Sequence, residues 1–191
     1  ALVADESGVT VLRSRAQAAF GTLTFKLEAS VQERPILSWR WKVDHALEAA
    51  DMSSKSAEDF AARVYVLFDV PLEELSLAAR AKMRIARLIY GPQLPTAALC
   101  YVWDNRHLPG QSAWSPFTDR VRTVVVESGN ASAGKWLTER RDLEADFRAA
   151  FADTWKKPVP AISGVAIGND TDQTGETVTA WFGDFVLEPR R

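Results

Sequence analysis

Sulfur and imidazole are almost absent from this sequence. Among 191 residues there is one cysteine, Cys100, and two histidines, His45 and His107. A single thiol excludes an internal disulfide and any cysteine-rich zinc site. The two histidines lie far apart with no neighbour at a metal-ligand spacing, so neither a histidine zinc site nor a Ser-His-Asp triad is indicated. Also lacking is an apolar run near the ~20 residues that a membrane helix requires. No glycine-rich loop follows a strand and opens a helix, which removes the mechanical parts of nucleotide binding. The formal charge of −2 offers no general field for nucleic acid. The chain starts at Ala1 without Met, which implies removal of a leader or a cut at a boundary.

The remaining composition is that of a globular protein, 47% hydrophobic and 25% charged. This length can bury a sizeable core, so a single domain over 1–191 is expected. Seven tryptophans are many for such a chain. They supply core area, and they are also the side chains that sugar-binding and protein-binding surfaces use.

Short alternating runs rich in Val, Phe, Trp and Thr recur along the chain: Val9 to Leu12, Leu23 to Leu27, Ile36 to Val43, Phe60 to Phe68, Ala98 to Trp103, Val121 to Glu127, Ala161 to Gly168 and Thr177 to Leu187. Eight such runs, with few helices between them, predict a mainly β fold, an antiparallel β-sandwich or jelly roll of galactose-binding-like or lectin-like type. Two helices should lie at its periphery. Pro71 to Tyr90 sets Leu72, Leu75, Ala79, Met83, Ala86 and Tyr90 at three- and four-residue spacings, and the 142–152 stretch places Leu143, Phe147 and Phe151 at steps of four behind a capping Asp142.

Alternation also sorts polar positions. In "LSWRWKVD" it sends Trp39 and Trp41 to one face and Arg40 and Lys42 to the other. In "EDFAARVYVLFD", Arg63 and Tyr65 share a face, with Asp59 close by, an arrangement able to hold a sugar or carboxylate by stacking and forked hydrogen bonds, or simply an ion pair on a solvated face. Trp103 and Trp114 flank an irregular Pro- and Gly-bearing loop, and loop aromatics either line a ligand surface or anchor the loop. "TERRDLEAD" adds Arg140 and Arg141 among carboxylates, either an anion clamp or surface pairs. The ligand-binding candidates are therefore Arg40, Asp59, Arg63, Tyr65, Trp103, Trp114, Arg140 and Arg141. For an enzyme, Asp59, Glu139 and Asp142 would supply acid and base, provided they converge.

"GNDTDQTG" resembles the first half of a calcium loop, with Asp170, Asp172 and Thr174 at alternating positions before Gly175. Trp181 stands where the closing bidentate Glu of an EF-hand belongs, so a complete EF-hand is excluded. A looser calcium cage would recruit Asp184. The same residues also build a hairpin turn unaided.

The stretches "PILSWRW", "EDFAARVYVLF", "YVW", "GKWLTERRDLEADF", "GVAIGNDTDQTG" and "WFGDF" together resemble the bacterial family catalogued as domain of unknown function 3047. The resemblance implies a β-sandwich and an export signal, hence a periplasmic or envelope location. It also implies that the chain starts inside the family's opening portion, with a first strand missing or diverged. The family pattern has Asn where this chain has Cys100 and Gln173. No activity follows from it. The expectation is a binding module for a glycan or other small polar ligand; the alternatives are a glycan hydrolase or lyase with an Asp/Arg site, and an envelope scaffold that docks a protein through Trp114 and Phe117.

Overall fold

The computed structural model describes residues 1–75, 77, 79–81, 83–84 and 95–190. Eleven strands appear among them: β1 Leu2–Ala4, β2 Thr10–Gln17, β3 Phe20–Ala29, β4 Ile36–Val43, β5 Phe60–Phe68, β6 Ala97–Asp104, β7 Ser112–Trp114, β8 Val121–Ser128, β9 Leu137–Asp142, β10 Ile162–Asp170 and β11 Thr177–Glu188. They form a five-stranded sheet, β1-β2-β11-β4-β9, and a six-stranded sheet, β3-β10-β5-β6-β8-β7. The two sheets pack as the expected sandwich. Pairing is antiparallel except between β6 and β8. That parallel pair arises because β7 and β8 form a hairpin whose second strand inserts between β6 and β7.

Alternation decides what each sheet buries. Trp39 and Trp41 of β4 meet Tyr101 and Trp103 of β6 between the sheets, with ring centroids 5.4 Å apart for Trp39/Tyr101 and 5.8 Å for Trp41/Trp103. All four are fully buried. The Leu143–Phe151 helix closes one end of the core. Asp142 caps it by accepting from the Ala145 N–H, and Phe147 and Phe151 pack on Phe68 and Trp114. Each such ring contributes on the order of 1.5–3 kcal/mol of transfer free energy. Over 71–90, Leu72–Glu74 is a single 3-10 turn, and Leu77, Ala79, Arg80, Ala81, Met83 and Arg84 are helical. Leu75 and Met83 are buried, as the spacing requires, whereas Ala86 and Tyr90 lie outside the described residues.

Strands β3 and β10 approach very closely. A Cβ on Gly168 would stand 2.2 Å from the Gly21 carbonyl, so only glycine fits there, directly opposite Arg63 on β5. Among the described residues no helix is long and apolar enough to cross a membrane.

Candidate functional site

Buried charge collects on the outer face of the six-stranded sheet. Strand β5 points Val64 and Val66 into the sandwich, so Arg63 and Tyr65 project outward, where the 44–59 and 105–119 connections cover them with a second small apolar cluster around Met52, Phe60, Cys100 and Val102. Under that cover Glu58, Asp59, Arg63 and Asp170 are almost inaccessible. The Arg63 Nε donates to Asp170 Oδ1 at 2.9 Å, its Nη2 donates to Asp170 Oδ2 and to the Glu58 carbonyl, and its Nη1 donates to the Tyr65 hydroxyl at 2.8 Å. The Phe60 N–H also donates to Asp170. Burial pushes the Asp170 carboxyl up to about 7 against the pull of Arg63, and pushes the Cys100 thiol, beside Tyr65, up to about 12. That thiol is not a nucleophile at neutral pH.

Asp59 turns toward the β10–β11 hairpin. Its Oδ2 accepts the N–H groups of Gln173 at 3.1 Å and Thr174 at 2.6 Å, while its Oδ1 is buried without a partner among the described residues. The hairpin closes as a turn, with Gly175 donating to the Thr171 carbonyl from the left-handed region at φ 74°. Oxygens of Asp59, Asp170 and Asp172 all lie within 4.8 Å of one another.

A second polar group occupies the seam where β8 and β9 border the gap between the sheets. Glu139 accepts from the Trp41 indole N–H at 3.2 Å, and Glu127 is paired across the ladder with Trp103, which packs on Trp41. Burial raises the pKa of both carboxyls, and the Glu127 charge raises that of Glu139 further. Beside them Arg141 donates twice to Asp146, which also accepts the Tyr101 hydroxyl.

The outer face of the five-stranded sheet carries a cross-strand row. Arg13 of β2 is opposite Trp181 of β11, which is opposite Lys42 of β4, and Trp136 precedes β9 on the far side. The Lys42 ammonium lies 4.9 Å from the Trp181 ring centroid and 5.2 Å from that of Trp136, with Arg40 4.3 Å over Trp136. Glu6 pairs with Lys42, and Asp5 pairs with Arg40 at 2.7 Å. Arg13 and Arg15 are exposed and make no ion pair with a described residue.

The sequence-derived candidates therefore divide among several places. Asp59, Arg63, Tyr65, Asp170 and Asp172 converge. Glu139 and Arg141 lie at the seam. Arg40 belongs to the five-stranded sheet's outer face. Several expectations need correction. The three proposed catalytic carboxylates do not meet: Asp142 caps the helix and binds Arg190, Glu139 faces the gap between the sheets, and Asp59 lies on the opposite face of the other sheet. Trp103 is fully buried, its N–H spent on the Gly129 carbonyl, so it presents no ring to a ligand. Trp114 anchors its loop against Phe151 beneath Arg122. Arg140 faces Glu188 at 3.6 Å. Asp184 pairs with Arg40 and takes no part in the Asp59 group. Thr174 reaches Asp59 through its backbone N–H, and its hydroxyl accepts from Glu176.

Glu127, Trp136 and Trp181 are the additions. Alternation in "TVTAWFGDF" already separates Trp181 from the inward Ala180 and Phe182. Glu127 had no such signal, because a bulge between Val102 and Trp103 resets its pairing.

A family model described as "Protein of unknown function (DUF3047)" matches residues 2–186. The chain belongs to this family. No curated protein matches the DUF3047 chain. Among solved structures, an endoglucanase cel12A from Rhodothermus marinus is similar, at 14% identity and a TM-score of 0.46, over 91% of this chain and 75% of that one. A family 12 xyloglucanase from Bacillus licheniformis in complex with ligand is similar at 10% identity and a TM-score of 0.47, over 90% of this chain and 75% of that one.

Proposed function

We propose that this DUF3047 chain is a binding module for an extended polar chain bearing acidic groups, such as an anionic glycan, and that the outer face of its five-stranded sheet is the contact surface. The observation that carries this reading is the cross-strand row Arg13, Trp181, Lys42, Trp136. Two half-buried indoles on alternate positions of that row stand about 10 Å apart, two strand spacings, which suits stacking on alternate units of a chain crossing the strands. Lys42 and Arg40 are neutralised by Glu6, Asp5 and Asp184, which leaves Arg13 and Arg15 to meet carboxylates or sulfates.

Affinity electrophoresis against neutral and acidic polysaccharides tests this. The expected result is retardation by an acidic polymer that Trp181→Ala and Arg13→Glu each weaken about tenfold or more, the scale of a lost stacking or charge contact. Retardation by none of them, or retention indifferent to both variants, overturns it.

A second reading, glycan hydrolysis, draws on the Glu127/Glu139 pair: burial raises both carboxyls and the Glu127 charge raises Glu139 further, which suits one carboxyl holding a proton beside a charged one. In the same assays, new reducing ends that disappear in Glu139→Gln would support it. No release by the unaltered chain would remove it.

A further inference from the structure

We propose a calcium-type site, a hard divalent cation held by Asp59, Asp170, Asp172 and the side-chain carbonyl of Gln173. It is independent of the glycan surface, which lies on the other sheet.

The carboxylates alone would not justify a cation, since acidic turns are common. Two buried oxygens without partners do. Asp59 has no solvent exposure, and its Oδ1 makes no hydrogen bond with a described residue although Oδ2 accepts two. The Gln173 Oε1 is likewise buried and unpartnered, and its Nε2 donates to Asp172 Oδ2 at 2.7 Å, which fixes the carbonyl end as the free one. A buried carboxylate oxygen with nothing to accept is costly, and native folds leave few buried polar atoms unpaired.

Charge leads to the same place. Three aspartates gather within 4.8 Å, and Arg63 on Asp170 is the one cation paired with them among the described residues, so acids outnumber cations three to one and a divalent ion would offset the excess. Glu58 is a further buried acid beside Asp59, and its backbone carbonyl accepts from Arg63.

Ligand chemistry selects the class. Every offered atom is oxygen, from three carboxylates and one amide, and no histidine or cysteine joins the group. Oxygen-only, irregular cages suit calcium, whereas zinc prefers nitrogen and sulfur, and magnesium demands a near-ideal octahedron. A cation there would tie the β10–β11 hairpin to the end of the 44–59 connection, because Asp59 already grips that hairpin through Gln173 and Thr174.

The test uses the purified chain, stripped with chelator and dialysed into calcium, magnesium or neither. Calcium is expected to raise the melting midpoint in proportion to the logarithm of its free concentration, and terbium bound at the site should be sensitised by the tryptophans and displaced by calcium. Asp172→Asn alters an exposed side chain and should leave the fold intact while weakening calcium at least about tenfold, since affinity follows the number of charged ligands. Asp59→Asn should abolish binding. The proposal fails if the melting midpoint ignores calcium and terbium is not sensitised. It fails equally if magnesium matches calcium and the Asp172 variant binds both as the unaltered chain does, the signature of diffuse attraction to acidic surface.

Discussion

At the scale of single residues, Arg63 shows how a surface-facing position becomes structural. Its alternation in β5 aims it away from the core, yet covering loops leave it buried with its guanidinium shared among Asp170, Tyr65 and the Glu58 carbonyl. Such a pair need not add net stability, but breaking it strands the partner. Replacing Arg63 by Met should therefore destabilise the fold by about 3–5 kcal/mol, read from urea unfolding, because Asp170 would keep its burial and lose its counter-charge. An effect below ~1 kcal/mol would mean that Asp170 is held by other means. The sequence places Arg63 and Tyr65 on one face correctly, as alternation must. It cannot show that Asp170, 107 positions away, completes the network, because β10 reaches β5 only through the tertiary pairing.

At the scale of elements, polar edges and long apolar strands were unequally legible. The runs at 36–43 and 60–68 coincide with β4 and β5, since Val, Ile, Phe and Trp alternation over eight or nine residues is strong. Strands β1 and β7 are three residues each, too short for periodicity, and β9 reads Leu-Thr-Glu-Arg-Arg-Asp, polar enough to pass for a helix approach. That strand pairs with β4 along one side only and lies at the sheet's edge, where polar residues are expected. The helix after it was legible because capping chemistry is local. Asp142→Ala should cost about 1 kcal/mol and lower the melting midpoint by about 2–4 °C, with the loss of the Arg190 pair adding little at that exposure. An unchanged melting curve would place the helix start elsewhere.

At the scale of the whole molecule, burial couples stability to pH with opposite signs at two places. Glu139, desolvated between the sheets and close to Glu127, has a folded pKa above its ordinary 4.5. The folded state then holds a proton that the unfolded chain releases, so this group's contribution falls as pH rises from about 4.5 through the folded value. Asp142 runs the other way. Burial pushes it up, but the Ala145 N–H and Arg190 hold it below 3.8, so its contribution is present above that value and lost as acid protonates it. Urea midpoints measured from about pH 4 to 8 should decline toward neutral pH in the unaltered chain, as Asp170, Glu127 and Glu139 give up protons that burial holds, and Glu139→Gln should remove part of that decline. A slope indifferent to the substitution would exclude Glu139 as a contributor to it.

By itself the sequence determined the sandwich class, the inward tryptophans of β4, the capped helix and the turn at Gly175, because each depends on residues within one strand, one helical turn or one hairpin. Tertiary structure alone decided which carboxylates meet. Asp59 joins Asp170 and Asp172, Glu139 joins Glu127, and Asp184 departs to Arg40, since sheet order and a bulge set these partnerships across long stretches of chain. Local pattern fixes the direction in which a side chain leaves its strand. What it finds there depends on the neighbouring strand, and that neighbour is chosen by burial of the whole core.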